Sequence, residues 1–288
     1  MKLVRYSQPG AAPRPGLLLG DRVVPLDAVV KDVSNDMKQV IRDWQTLAPK
    51  LAGAAASDAA VALADVRLEA PIAEPGKVMA IGLNYTDHIE EARGSGVVAP
   101  KDQVWFAKIP SSVNGPFADV EYPKASNELD YEVELVAVIG KGGRHISRED
   151  APNAVFGYCV GNDVSARDWQ LRTPQWILGK SFDTHCPFGP AITTADEIGD
   201  PHRLAIKCWL NGELRQSSNT SFLLFNVWDQ IAELSKVMAL KPGDLIFTGT
   251  PGGVGMASKP DGYMKVGDRV RCEIEELGAI ENTIVAEV

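Results

Sequence analysis

The sequence predicts a mainly β chain with inserted helices, an α+β fold, preceded by a small N-terminal α+β domain. Three observations carry that prediction. Short apolar runs of strand length succeed one another from Val78 to the last residue. Within that stretch only two segments have helical periodicity. The two kinds of element do not alternate regularly, which argues against a doubly wound sheet or a TIM barrel.

Residues 1–70 read as the small leading unit. KLVRY (2–6) and GLLLGDRVVPL (16–26) have strand character, with Gly20-Asp21 a two-residue hairpin turn. Met37, Val40, Ile41, Trp44 and Leu47 recur at helical spacing, a stripe that must be buried. The Ala-rich stretch from Leu51 to Ala64 is expected to extend that helical region. Pro71 and Pro75 in APIAEPGKV mark a linker, which divides the chain into 1–70 and 71–288.

Strands then follow at VMAIGL, VWFAKI, VELVAVIG, VFGYCVGND, LAIKCWL, DLIFTGT, DRVRCEI and AIENTIVAEV. Asn211-Gly212, between LAIKCWL and ELRQ, is the strongest short-range hairpin signal. One helix is predicted around NYTDHIEEARGSG, capped by Asn84 and stopped at Gly94. The other is predicted from about Ser221 to Met238, with Trp228, Ile231, Leu234 and Val237 on one face.

Composition narrows the function classes. The 288 residues, 45% hydrophobic and 23% charged, are those of an ordinary globular protein. A net charge of -9 with no long basic run argues against nucleic acid or an anionic membrane as a partner. No run approaches the ~20 apolar residues of a membrane span, and MKLVRYSQPG lacks a signal-peptide core. The four cysteines are dispersed without a CxxC pair, so reduced thiols in a cytoplasmic protein are expected.

The chemistry gathers around LDYEVELVAVIG. Asp130, Glu132 and Glu134 alternate, so on a strand their carboxylates share a face, roughly 7 Å apart at ~3.3 Å per residue. The apolar residues that follow fill both faces of the strand, as in one covered on both sides. Unpaired carboxylates buried there would cost several kcal/mol apiece, so a cation is expected between them. With oxygen ligands alone on offer, that cation is a hard ion, Mg²⁺ with Mn²⁺ or Ca²⁺ as alternatives. Asp163, where VFGYCVGND ends, is the best third ligand. Asp130, at the strand's mouth, is a solvated neighbour in this reading.

Other residues supply candidates for proton transfer and substrate contact. His88 and Glu91 share a helical face at i and i+3, so Glu91 can orient the imidazole and raise its basicity. Gly82 and Gly94-Ser95-Gly96 bracket that helix as hinges. TGTPGGVG lacks the Gly-Lys-Ser/Thr ending of a phosphate loop, which excludes ATP binding of that kind. Its backbone N–H groups and the Thr250 hydroxyl suit a substrate carboxylate. Lys108, Arg167 and Lys180, each beside a strand end, Gly or Pro, would balance an anionic substrate. RGSGVVA follows a helix and not a strand, so a dinucleotide site is not supported, and neither G-x-S-x-G nor H-E-x-x-H is present.

From about residue 71 onward, GLNYTDHIEEA, FAKIPSSVNGP, LDYEVELVAVIGK, GYCVGNDVSARDWQ, GKSFDTHCPFGP and LIFTGTPGGVG resemble the fumarylacetoacetate hydrolase family in content and order. The first 70 residues are similar to the leading domain of many bacterial members. The resemblance implies a β-roll catalytic domain, usually a homodimer, holding one divalent ion through Glu132, Glu134 and Asp163. It implies that His88 and Glu91 activate water, that Lys108, Arg167, Gln170 and Thr250 meet substrate, and that Lys180 stabilises an enolate. The extra upstream metal-ligating Asp of the full-length hydrolases has no counterpart here, so the chain resembles the short bacterial branch. The expected activity is Mg²⁺-dependent hydrolysis of a C–C bond in an acylpyruvate-like 2,4-dioxo acid. Oxaloacetate decarboxylation and 2-hydroxydienedioate isomerisation are the nearest rivals. A ureidoglycolate lyase-like activity and a non-catalytic metal-stabilised protein are further alternatives.

Overall fold

The computed structural model describes residues 1–54, 57–92, 98–258 and 262–288. The strand Val133–Ile139 is its axis. Every residue in it is buried, as the apolar run requires. Val133, Leu135 and Ala137 face one hydrophobic cluster, which they share with Ile206, Val270, Ile274 and Ile284 of a second, five-stranded sheet. Val136 and Val138 face another cluster, completed by Met37, Val40, Ile41 and Leu47 of the N-terminal helices. Full burial of such side chains contributes roughly 1.5–3 kcal/mol each. The strand that carries the acids is therefore held from both sides.

Hydrogen bonding fixes its neighbours. Val133–Ile139 lies antiparallel between Val155–Asn162 and Leu245–Phe247, with Val133 opposite Asn162 and Val136 opposite Phe247. Leu245–Phe247 runs parallel to Val78–Gly82, and that strand pairs antiparallel with Val104–Lys108. The start of Val133–Ile139 thus meets the ends of Val155–Asn162, Leu245–Phe247 and Val78–Gly82. The candidate site lies at that meeting point.

The N-terminal unit has the predicted hairpin, Arg14–Leu19 with Arg22–Pro25, Leu19 facing Arg22 across Gly20-Asp21. Its first strand joins the main sheet. Lys2–Ser7 pairs with Cys186–Thr194, so the twelve-stranded sheet runs through both stretches of chain. The Ala-rich extension of its helices does not form: Trp44–Leu51 ends in a turn at Ala52-Gly53, and Val61–Ala62 is a strand. Gly53 and the turn-forming Ser57-Asp58 outweigh the alanine propensity. At the second hairpin Asn211 and Gly212 both take positive φ (52° and 81°), the type I′ geometry predicted for that pair.

The late helix is Val227–Val237, opened by an Asn226 capping box with Asp229, worth about 1 kcal/mol. Its buried residues include Val227, Ile231 and Leu234, whereas Val237 is 69% exposed. Ile231 and Leu234 lie on the buried face as predicted, joined there by Gln230 and Ser235, and Ser221 belongs to a separate 3₁₀ turn, Thr220–Phe222, ahead of the helix.

Candidate active site

Backbone contacts bring the acids together. The run expected as one strand breaks into Leu129–Asp130 and Val133–Ile139, leaving Tyr131 and Glu132 outside the ladder. The Glu132 N–H donates to Asn162 Oδ1 (2.9 Å) and its carbonyl accepts from the Asp163 N–H (2.9 Å). Asp163 is thereby seated beside Glu132. Oxygens of Glu132, Glu134 and Asp163 lie within 4.8 Å of one another, all three residues buried.

Three buried cations surround them. Lys180 Nζ donates to Glu132 Oε2 and Asp163 Oδ2, both at 2.7 Å. Lys108 Nζ donates to Asp163 Oδ1 (2.6 Å) and to the Val164 carbonyl. Arg167 reaches Glu132 Oε1 through Nη1 (2.7 Å) and Asp130 Oδ2 through Nε (2.8 Å), and also holds Gln170 Oε1. Its Nη2 is buried without a partner.

Asp130 corrects the expectation of a solvated neighbour. It is fully buried and accepts from Arg167 and from the Gly255 and Met256 N–H groups (2.7 and 2.9 Å). Nothing in the sequence but its place in the alternation hinted at this. The glycine loop also behaves differently from expectation. Its N–H groups hold the protein's own carboxylates: Gly249 donates to Glu134 (2.7 Å), Gly253 to Glu91, and Gly255 to Asp130. Gly249 is required there, since its φ is +102° and a Cβ would lie 2.8 Å from that of Asn84. The Thr250 hydroxyl donates to the Val133 carbonyl and accepts from Gln216 Nε2. Donating to a substrate carboxylate would require that first bond to break.

The helix Thr86–Ala92 places His88 Nδ1 3.3 Å from Glu91 Oε2, as the i, i+3 spacing predicted. The hydrogen bond to His88 outweighs burial and, with the Gly253 N–H, lowers the Glu91 carboxyl below its ordinary range. Asn84 is not the cap of this helix. It is fully buried and binds the Phe225 and Thr248 carbonyls and the Phe225 N–H, tying the helix to the core. Gly94-Ser95-Gly96 lies outside the described residues. Gly82 is packed against Trp176, where a Cβ would lie 2.3 Å from the indole Cζ3.

A cavity of about 220 Å³ joins these groups, with His88, Glu132, Glu134, Arg167, Gln170, Lys180 and Thr250 in its wall. Lys108 and Asp163 lie one layer beneath, outside that wall. The remaining wall is apolar and includes Phe106, Trp176 and Met256, which sequence reasoning did not single out. Isolated aromatic and Met residues carry no spacing signal that separates a cavity wall from core.

The charges do not balance. Four buried acids (Asp130, Glu132, Glu134, Asp163) face three buried cations (Lys108, Arg167, Lys180). Burial would push the Glu132 carboxyl up, but Lys180 and Arg167 hold it at about 2. Burial raises Glu134 well above the carboxylate range, and repulsion from Asp163 and Glu132 adds to it. Among the described residues no cation pairs with Glu134. An all-oxygen donor set, converging and short of one positive charge, fits a hard divalent ion. Each carboxylate retains lone pairs beyond those its protein partners use.

The chain has counterparts among known proteins. The profile of the fumarylacetoacetate (FAA) hydrolase C-terminal domain matches residues 77–285, and a profile described as Rv2993c-like, N-terminal, matches residues 1–71. A mitochondrial oxaloacetate tautomerase of Rattus norvegicus is 44% identical over 99% of this chain and 92% of its own. A fumarylacetoacetate hydrolase structure from Exiguobacterium antarcticum superposes with a TM-score of 0.86 at 38% identity, covering both chains fully. The maleylpyruvate hydrolase of Sphingobium sp., solved with manganese(II) and pyruvate, superposes at 0.83 with 34% identity, again over the whole of both chains.

Proposed function

The chain belongs to the fumarylacetoacetate hydrolase family, and we propose that it interconverts the keto and enol forms of a small 2-oxo diacid of the oxaloacetate type. The observation that carries this reading is the cavity itself. Its 220 Å³ fall below the ~300–1,000 Å³ of ordinary ligand pockets, so it suits a substrate of few carbons. The likeness to oxaloacetate tautomerases along nearly the whole chain supports the same choice.

In this reading Glu132, Glu134 and Asp163 hold Mg²⁺, with Mn²⁺ able to replace it. When bound, the ion supplies Lewis-acid polarisation of the 2-oxo group. The chain's own residues do the rest. Lys180 keeps Glu132 ionised, donates to Asp163, and presents an ammonium to charge developing on the 2-oxygen. Arg167 Nη2, with its hydrogens unspent, donates to an anionic substrate. Glu91 accepts from His88 Nδ1, which leaves Nε2 as the base that moves the C3 proton. The four cysteines, all free and buried, support a reducing compartment such as the cytoplasm.

The His88–Glu91 pair also favours a second reading, hydrolysis of an acylpyruvate. There the same Nε2 takes a proton from water, which attacks the distal carbonyl. One assay separates the two. Chelator-stripped protein, resupplied with Mg²⁺, is given enol-oxaloacetate in one vessel and an acylpyruvate in another. Faster loss of the enol without pyruvate release supports the tautomerase. Pyruvate and a carboxylic acid from the acylpyruvate support the hydrolase, and pyruvate with CO₂ from oxaloacetate would mark a decarboxylase instead. In the productive vessel His88→Ala should lose about 10²–10⁴-fold in kcat. An unchanged rate would remove His88 from the mechanism.

A further inference from the structure

The wall of the cavity combines Glu132, Glu134, Arg167 and Lys180 with apolar Phe106, Trp176 and Met256. Trp176 enters this wall on terms set by Gly82: a Cβ there would stand 2.3 Å from the indole Cζ3. Real Cβ atoms do not approach that closely, so the missing side chain of Gly82 is what admits the ring. Phe106 braces it from another side, with ring centroids 5.4 Å apart at 57°. Phe106 in turn lies 4.8 Å from Lys180 Nζ. A chain of contacts therefore runs Gly82, Trp176, Phe106, Lys180.

We propose that Trp176 is a specificity-determining residue that limits the length of the substrate's non-reacting tail, and that Gly82 and Phe106 hold it in that position. The inference rests on the proposed 2-oxo acid site and names the part of the substrate that the site excludes. A 2-oxo acid held by its polar end at Lys180 and Arg167 has Phe106 beside that end and Trp176 next to Phe106, so a tail that runs along these rings meets the indole. Short tails fit. Each added methylene must displace the ring, and it gains hydrophobic contact only if the ring is removed.

Equilibrium binding tests this without requiring turnover. Unbranched 2-oxo monoacids of increasing chain length are titrated calorimetrically into Mn²⁺-loaded parent, Trp176→Phe and Trp176→Ala. Thermal unfolding of each variant confirms that it is folded. The parent should bind the shortest acids best and weaken as the chain grows. In Trp176→Ala the trend should reverse, with affinity rising up to about fourfold per methylene, and Trp176→Phe should fall between. If the parent binds short acids and the variants keep its chain-length profile, the inference fails while the 2-oxo acid site stands. If the parent binds none of the series, the proposed site and this inference fall together. Should Trp176→Ala unfold, the Phe variant alone decides: an unshifted profile overturns the inference.

Discussion

At the residue scale the site turns on Glu134, the one of its four buried acids that pairs with no cation among the described residues. Replacing Glu134 with Gln keeps an oxygen for the Gly249 N–H and removes the charge. Divalent-ion affinity, measured by titration, should then fall by at least the ~10–100-fold that second-layer partners of metal sites cost. The ion-free variant should match the ion-free parent in stability, since burial already favours the neutral form of Glu134 when no ion is bound. A variant that bound Mn²⁺ like the parent would remove Glu134 from the ligand set. His185 carries a different pH signature. It is fully buried, and because a carbonyl can only accept, its Nε2 carries the hydrogen that bonds Glu121 O (2.8 Å). Burial, with Lys108 nearby, lowers its pKa from 6.5 to about 4. Between those values the unfolded chain takes up a proton that the folded one refuses. Stability should therefore fall as pH drops from 6.5 toward 4, by up to about 1.4 kcal/mol per pH unit. Chemical denaturation across that range should give a shallower slope for His185→Gln, and equal slopes would contradict the assignment.

At the element scale the site depends on a loop and a helix that clasp each other. The loop after Leu245–Phe247 holds Glu134, Glu91 and Asp130 through its N–H groups, and Asn84 ties the base of the His88 helix to Phe225 and Thr248. Asn84→Ala leaves the Phe225 N–H without its partner, while the Phe225 and Thr248 carbonyls keep Gln230 Nε2. Stability should drop by about 1–3 kcal/mol in a denaturant titration, with turnover falling as His88 loses its support. Turnover equal to the parent's in a measurably destabilised variant would show that the clasp does not position His88. The sequence made several of these elements legible, for clear reasons. Periodicity marked the acid strand because burial on both faces demands a continuous apolar run, and Asn211-Gly212 marked its hairpin because both positions need positive φ. What stayed hidden was tertiary. Asn84 read as a cap because its bonds to residues far along the chain leave no local trace. Asp130 read as solvated because its burial depends on a loop more than a hundred residues away.

At the scale of the whole molecule, the sheets and the N-terminal helices hold four acids in a buried frame with three cations. The resemblance read from LDYEVELVAVIG, GYCVGNDVSARDWQ and LIFTGTPGGVG survives in the matched domain profile and the superposed structures. The choice among hydrolase, decarboxylase and isomerase was not legible, because the same motifs serve all three readings. Binding of an ion to that frame is linked to folding. At an ion concentration a hundred times its Kd, the folded state should gain about 2.7 kcal/mol, seen as a rise of several degrees in the thermal midpoint that chelator reverses. The most direct test of the account is ordered binding. A calorimetric titration of chelator-stripped protein with Mn²⁺, followed by pyruvate, should give one ion per chain and pyruvate heat only after the ion is in place. Pyruvate binding of equal strength in the presence of excess chelator would contradict it.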